Sequence, residues 1–128
     1  MRPVNLFLTE DGVLKLGTYG LTTQLECYSI KETDCEGLRS FASEVFEGEY
    51  EMKSDVWSFG TALIEMLGMR PYDWSGGFWM LMEIRDCELP FKEKDIESAQ
   101  LIDFLKKCFL KKEERSNVNE LLSVSVMR

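Results

Sequence analysis

Two short runs of apolar residues open the chain, at residues 5–10 and 13–16, and the dipeptide Asp11-Gly12 separates them. Asp-Gly is a strong short-range hairpin signal because both residues tolerate turn conformations with positive φ. We therefore predict an N-terminal β-hairpin over residues 5–16. From Gly17 to about Phe41 the pattern loses its periodicity and fills with Thr, Ser, Glu and Gly, which predicts a long exposed loop.

The next apolar stretch predicts a buried helix. Ser54 is of a residue type that caps helices, and the residues after it are apolar on nearly every side. We therefore expect a helix capped by Ser54, buried all round and placed at the centre of the core. Its apolar residues are Val56, Trp57, Phe59, Ala62, Leu63, Ile64, Met66 and Leu67.

Three shorter helices are predicted after a turn around residues 70–72. Residues 78–84 form an apolar run, and residues 101–109 repeat apolar positions at helical spacing with lysines toward the end, where the helix dipole favours cations. Asn117 and Glu120 have the spacing of a capping box before a last helix. The pattern as a whole predicts a mainly α protein with one β-hairpin.

Composition narrows the class of partner. The 128 residues carry 15 Lys and Arg against 23 Asp and Glu, a net charge of −8. Such a surface repels nucleic acid and anionic lipid, so we expect neither nucleic acid nor a membrane as a partner. The length fits a single domain. No apolar run approaches the ~20 residues of a spanning helix, and the N-terminus has no signal core.

The chemistry of the side chains excludes several enzyme classes. There is no histidine, which removes the commonest general base and the Ser-His and Cys-His pairs. The four cysteines include no CxxC pair, so we expect no metal site and interpret them as reduced thiols of a cytoplasmic protein.

Five segments, in order along the chain, resemble motifs of the C-terminal lobe of eukaryotic protein kinases. Residues 2–8 (RPVNLFL) resemble the end of the catalytic loop, residues 15–21 (KLGTYGL) resemble Lys-Leu-x-Asp-Phe-Gly-Leu, and residues 42–44 (ASE) resemble Ala-Pro-Glu. Residues 53–60 (KSDVWSFG) resemble the start of the large central helix, and residues 107–122 resemble the last helices. The sequence of these motifs is most similar to that of serine/threonine kinases of the sterile type, which belong to MAP-kinase cascades.

The resemblance implies a kinase C-lobe over residues 1–128, with the hairpin at 5–16, an activation segment at 18–44 and a helical part at 45–128. It also implies which groups are missing. Family members transfer phosphate from ATP with Mg²⁺ held by an aspartate and an asparagine. Asn5 matches the asparagine, but Thr18 stands at the aspartate position, and a neutral hydroxyl is a poor ligand for this cation. The chain begins after the position where the catalytic aspartate would stand, so we expect it to contain neither that base nor the N-lobe.

Three residues are assigned structural roles by the resemblance. Glu44 and Arg115 match a pair that ties the activation segment to the last helices, and such a buried pair costs more to break singly than to replace as a whole. Asp55 matches a residue that braces the catalytic loop; its alternative interpretation is a first-turn carboxylate favoured by the helix dipole. We expect no catalytic residues and neither ATP nor Mg²⁺ bound to this chain by itself.

These observations leave open what the chain does. The first hypothesis is a catalytically inactive kinase-like fragment that binds another protein, or itself, through an exposed apolar helix surface. Phe78, Trp79 and Met82 are the candidate partner surface, and their alternative interpretation is ordinary core. Part of the 56–67 apolar surface should also face solvent, because the helix that covers it in whole kinases precedes the catalytic loop. The second hypothesis is a piece of a full-length ATP-dependent serine/threonine kinase, and the third is a decayed copy without a function.

Overall fold

A computed structural model of the chain describes residues 1–17, 38–72 and 77–124. A short 3-10 helix, Pro3–Asn5, leads into strands β1 (Leu6–Leu8) and β2 (Leu14–Leu16). Within the described ranges five α-helices follow: α1 (Ser43–Phe46), α2 (Met52–Met66), α3 (Gly77–Arg85), α4 (Ala99–Cys108) and α5 (Val118–Leu122), with a second 3-10 helix at Glu93–Asp95 between α3 and α4. The prediction of a mainly α fold with an N-terminal hairpin is confirmed.

The hairpin forms where the apolar pattern placed it. β1 and β2 are antiparallel, with Leu6 opposite Leu16 and Leu8 opposite Leu14. Gly12 has a φ of +78°, the left-handed conformation that glycine adopts without steric cost. The Thr9 hydroxyl accepts a hydrogen bond of 3.0 Å from the backbone N–H of Val13, which helps to close the turn.

Helix α2 is the centre of the core, but it begins three residues before the position expected from Ser54. Glu51, with extended backbone angles, is the residue that precedes the helix. Ser54 lies in the first turn, where its Oγ accepts a 3.3 Å hydrogen bond from the N–H of Glu51. The prediction that Ser54 is the cap is therefore wrong. Ser54 lies inside the helix, and its hydroxyl donates a hydrogen bond to Glu44.

The expectation that α2 is buried all round is also wrong. Trp57 and Ile64 are fully buried, whereas Met66 is 64% exposed and Asp55 is exposed. Phe59 is only partly buried, on the same side as Asp55, since residues four apart share a helix face. The helix therefore has one open side, as the expectation of a solvent-facing apolar surface required.

The packing of α2 against α4 depends on a glycine. A Cβ atom added at Gly60 would lie 2.8 Å from Cβ of Cys108 and 2.9 Å from Cζ of Phe109, closer than real side chains approach. Beside this contact, the rings of Trp57 and Phe109 meet edge to face at 5.0 Å between centroids. The small residue allows the two helices to approach closely, and the aromatic pair fills the space next to it.

Two helix ends share one hydrogen-bond pattern but differ in the residue that adopts positive φ. After α2, Gly68 has a φ of +78°, and the N–H of Met69 reaches back to the carbonyl of Ile64. After α3, Cys87 adopts a φ of +55°, and the N–H of Glu88 reaches back to the carbonyl of Glu83. Both are Schellman terminations, which favour glycine at the left-handed position, so Cys87 is a strained residue.

Candidate functional site

A buried polar cluster lies between α1, the start of α2 and the segment before α5. Its centre is an ion pair in which Nη1 of Arg115 lies 2.6 Å from Oε1 of Glu44, and Nη2 lies 3.1 Å from Oε2. Arg115 is 1% exposed and Glu44 is 4% exposed. This two-point, charge-assisted geometry is the strong form of an arginine–carboxylate pair.

The remaining donors and acceptors of this pair also have partners. The Ser54 hydroxyl donates to Oε1 of Glu44 at 2.8 Å. Arg115 donates from Nη1 to the carbonyl of Lys53 and from Nε to the carbonyl of Leu110, each at 3.0 Å. The guanidinium carbon lies 5.0 Å from the centre of the Trp57 ring, a cation–π distance. The cluster thus links α1, α2 and the chain before α5 through one side chain.

The electrostatics of the cluster favour the ionised form of Glu44. Burial by itself raises the pKa of this carboxyl. Hydrogen bonds from Arg115, from the backbone and from Ser54, together with the positive charge of Arg115, outweigh burial and hold the pKa of Glu44 below its ordinary value. Glu44 therefore stays charged at neutral pH and holds Arg115 in place.

A second set of contacts beside the cluster was not predicted from the sequence. Nζ of Lys53 donates to the carbonyls of Lys112 and Glu113, both at 3.3 Å. Nζ of Lys112 lies 2.6 Å from Glu49 and 3.0 Å from Glu51. These contacts join positions about 60 residues apart, so no spacing along the chain could have indicated them. They add further links between the same two regions.

Asn5 and Thr18 are the two positions that match magnesium ligands of kinases. Asn5 is partly buried, and its backbone carbonyl accepts a 2.8 Å hydrogen bond from Gly17. Thr18 lies outside the described residues. Neither residue carries a carboxylate, whereas Mg²⁺ is held in proteins mainly by carboxylates, phosphates and water. Within residues 1–17, 38–72 and 77–124, no group of three Cys, Asp or Glu side chains is arranged to hold a metal ion.

Asp55 lies in the first turn of α2 and is exposed. Burial lowers the pKa of the Met1 amino group. The negative charges of Asp55 and Glu65 oppose this shift in part. The position of Asp55 suits the favourable interaction of a carboxylate with the N-terminal end of a helix.

Helix α3 presents an aromatic surface to solvent. Phe78 is 68% exposed and Trp79 is 67% exposed, and their rings pack edge to face with centroids 5.7 Å apart. Met82 is partly buried next to them in the helix. Met80 and Ile84, one turn apart, are fully buried and attach the opposite side of α3 to the core. The core interpretation of Phe78 and Trp79 therefore does not hold. We call Phe78, Trp79 and Met82 the α3 aromatic surface.

The open side of α2 borders an apolar cavity of about 230 Å³. The cavity lies between α2, α4 and α5, and Val118 and Leu122 at its edge are 53% and 54% exposed. Its lining residues are Met1, Asp55, Val56, Phe59, Phe104, Val118, Leu121 and Leu122. A second apolar surface thus exists on the side of the molecule formed by α2 and α5.

Comparison with known proteins identifies the family. The sequence profile described as protein tyrosine and serine/threonine kinase matches residues 1–124, nearly the whole chain. The chain belongs to the protein kinase family. Three serine/threonine kinases are among its relatives: Nek9 of Xenopus laevis at 29% identity, hippo of Drosophila melanogaster at 31%, and cst-1 of Caenorhabditis elegans at 33%. The aligned regions cover 99%, 100% and 86% of this chain, but only 14%, 20% and 23% of those relatives.

Membership of the family confirms the resemblance found in the sequence. Glu44 and Arg115 are residues that this resemblance singled out. This kinase-family chain carries the two residues that the motifs aligned, and the structure brings them within hydrogen-bond distance across 71 positions. That this pair holds the fold together stays a prediction. In the described part of the chain, no helix combines the length and the apolar character needed to cross a membrane.

Proposed function

We propose that this chain is a catalytically inactive member of the protein kinase family that acts by binding another protein through the α3 aromatic surface. The observation that carries the proposal is the exposure of Phe78 and Trp79, two neighbouring aromatic side chains each about two-thirds accessible to solvent. Contiguous exposed apolar surface is a feature of interaction sites, and the rings of these two residues are in contact.

The chemistry of these residues supports protein binding. Tryptophan is among the residues most enriched at positions that dominate binding energy, and aromatic side chains are enriched in interface cores. The two rings already pack against each other, and buried Met80 and Ile84 fix the helix that carries them. A surface ordered before binding loses less entropy when a partner arrives.

The inactive character rests on residues inside the chain. Phosphoryl transfer depends on positioning and on neutralising charge with metal ions, so the metal ligands are indispensable. Thr18 stands where the family has its metal-binding aspartate, and Asn5 alone cannot supply the missing negative charge. Protein binding needs neither ligand.

A second candidate function has one observation in its favour. The relatives are named as serine/threonine kinases, and the chain spans less than a quarter of their length, so it would fit a segment of an ATP-dependent kinase. Thr18 counts against this, since it changes a residue within the matched region. The genomic sequence upstream decides between the two: an open frame encoding a glycine-rich loop, a lysine strand and His-Arg-Asp would favour the enzyme.

We place the binding function in the cytoplasm. Cys87 and Cys108 are free thiols, and free thiols without a disulfide partner are usual in reducing compartments. Cys27 and Cys35 lie outside the described residues.

The binding proposal is tested by quantitative affinity capture from cell extract, comparing the unmodified chain with Trp79→Ala. A matched control is Val118→Ala, which removes an exposed apolar side chain on a different face. We expect at least one captured protein to fall by tenfold or more with Trp79→Ala and to remain with Val118→Ala, because truncating a dominant interface residue costs about 2 kcal/mol or more. Equal capture by all three chains would contradict the proposal.

A further inference from the structure

Two residues with strained backbone conformations flank helix α3 in the sequence. Tyr72 has a φ of +53° and Cys87 a φ of +55°, and they are the non-glycine residues with positive φ among those described. This conformation is unfavourable for any residue with a Cβ atom and persists only where the surroundings enforce it. Tyr72 lies five positions before the first residue of α3, and Cys87 lies two positions after its last residue.

A side-chain hydrogen bond connects the chain before α3 to the chain after it. Tyr72 is fully buried, and its hydroxyl donates to the backbone carbonyl of Glu88 at 3.2 Å. Glu88 is the residue whose N–H closes the C-terminal end of α3 onto Glu83 at 3.0 Å. The Tyr72 side chain therefore fixes the distance between the start and the end of the segment that contains α3.

Arg39 holds the strained backbone of Tyr72 from another part of the chain. Its Nη1 atom donates to the carbonyls of Pro71 and Tyr72, at 3.3 and 3.1 Å. Hydrogen bonds from a charged donor are stronger than neutral ones. Arg39 lies shortly before α1 and 33 positions before Tyr72. The orientation of α3 is thus coupled to the segment that leads into α1.

We infer that Arg39 and Tyr72 are positioning residues that set the orientation of the α3 aromatic surface. Buried Met80 and Ile84 hold the inner side of the helix. The Tyr72–Glu88 hydrogen bond ties Glu88, which follows α3, to Tyr72, and the Arg39–Tyr72 hydrogen bond holds Tyr72 in turn. Releasing either bond lets α3 open locally without unfolding α2. The inference draws its functional meaning from the proposed binding role of α3, but its test does not require a partner.

The test is hydrogen exchange followed by mass spectrometry on the 128-residue chain, comparing Tyr72→Phe and Arg39→Gln with the unmodified protein. Tyr72→Phe keeps the buried ring and removes only the donor. We expect amide exchange in α3 to rise roughly threefold to tenfold in both variants, the effect of losing a net hydrogen bond on a local opening equilibrium. Exchange in α2 stays unchanged. Tyr50→Phe is the matched control, because Tyr50 is 47% exposed and lies outside this region.

Two results would overturn the inference. Unchanged exchange in α3 would mean that the hydrogen bonds do not hold the helix, and an equal rise in α2, α3 and α4 would mean that they support the fold in general. Capture of a partner is measured separately. Loss of binding by Trp79→Ala, with normal exchange in α3, is a result about the proposed function. Altered exchange in α3, with binding retained, is a result about the positioning residues.

Discussion

Replacing Arg115 by alanine should destabilise the protein severely. The substitution removes the two hydrogen bonds to Glu44, at 2.6 and 3.1 Å, and the bonds to the carbonyls of Lys53 and Leu110, each at 3.0 Å. It leaves Glu44, 4% exposed, as a buried charge whose strongest remaining contact is the 2.8 Å bond from Ser54. Breaking one half of a buried pair costs about 3 to 5 kcal/mol.

That loss is a large share of the whole stability, since domains of this kind have unfolding free energies of about 5 to 15 kcal/mol. With about 4 °C of midpoint change per kcal/mol for a domain of this size, the expected decrease in melting temperature is roughly 12 to 20 °C. Differential scanning calorimetry or a urea titration followed by circular dichroism measures it.

Lys112→Ala is the control for this prediction. Lys112 also forms ion pairs, with Glu49 and Glu51, but both partners are about half exposed, and pairs of this kind contribute little. We expect only a small shift in its midpoint. Equal shifts for Arg115→Ala and Lys112→Ala would refute the reasoning that burial, and not the number of ion contacts, decides the cost. A double variant that also replaces Glu44 by alanine should recover part of the loss.

Three further predictions concern packing, pH and association. Gly60→Ala should cost about 1 to 3 kcal/mol, because the added Cβ meets Cys108 and Phe109 at 2.8 and 2.9 Å; an unchanged urea midpoint would contradict this. The folded state lowers the pKa of Glu44, so this group stabilises the fold fully at pH values above the ordinary glutamate pKa of about 4.3. That stabilisation is lost as the pH falls through the lower pKa that Glu44 has in the folded protein. The stability of Glu44→Gln should thus decline less between pH 5 and 3 in urea titrations, and equal slopes would count against the pair. The isolated chain should self-associate at micromolar concentration through the open side of α2, where Met66 is 64% exposed; a single monomer in sedimentation that binds no hydrophobic dye would exclude this.

The sequence predicted the elements whose signals are local. Asp11-Gly12 indicated the hairpin, and Asn117 and Glu120 indicated the last helix, where the Asn117 side chain accepts from the N–H of Glu120 at 3.0 Å. The apolar run at residues 78–84 indicated α3. Each of these depends on residues within a few positions of one another, so propensity and pattern suffice.

Features that depend on distant contacts were not predictable in the same way. Serine is a residue type that caps helices, but the Ser54 hydroxyl donates a hydrogen bond to Glu44, which lies ten positions away. An apolar pattern does not show which neighbours are present, so the exposed end of α2 at Met66 could be expected only from the family resemblance. The positive φ of Tyr72 has no sequence signal, because tyrosine is a residue type that rarely adopts it.

The candidate site was predictable only in part. Motif positions directed attention to Glu44 and Arg115, which the structure places in contact across 71 positions. The same motifs could not indicate whether Phe78 and Trp79 face solvent, because helical periodicity does not distinguish an exposed aromatic pair from a buried one in a short apolar run.

We propose that this kinase-family chain functions without nucleotide, and a calorimetric titration with ATP in the presence of Mg²⁺ tests this. Thr18 replaces the metal-binding carboxylate, and Asn5 is the remaining matched ligand, so we expect no saturable heat of binding. The ability of the same sample to fold is checked by its cooperative thermal transition. Saturable binding in the micromolar range that depends on Mg²⁺ would contradict the account and favour the kinase segment.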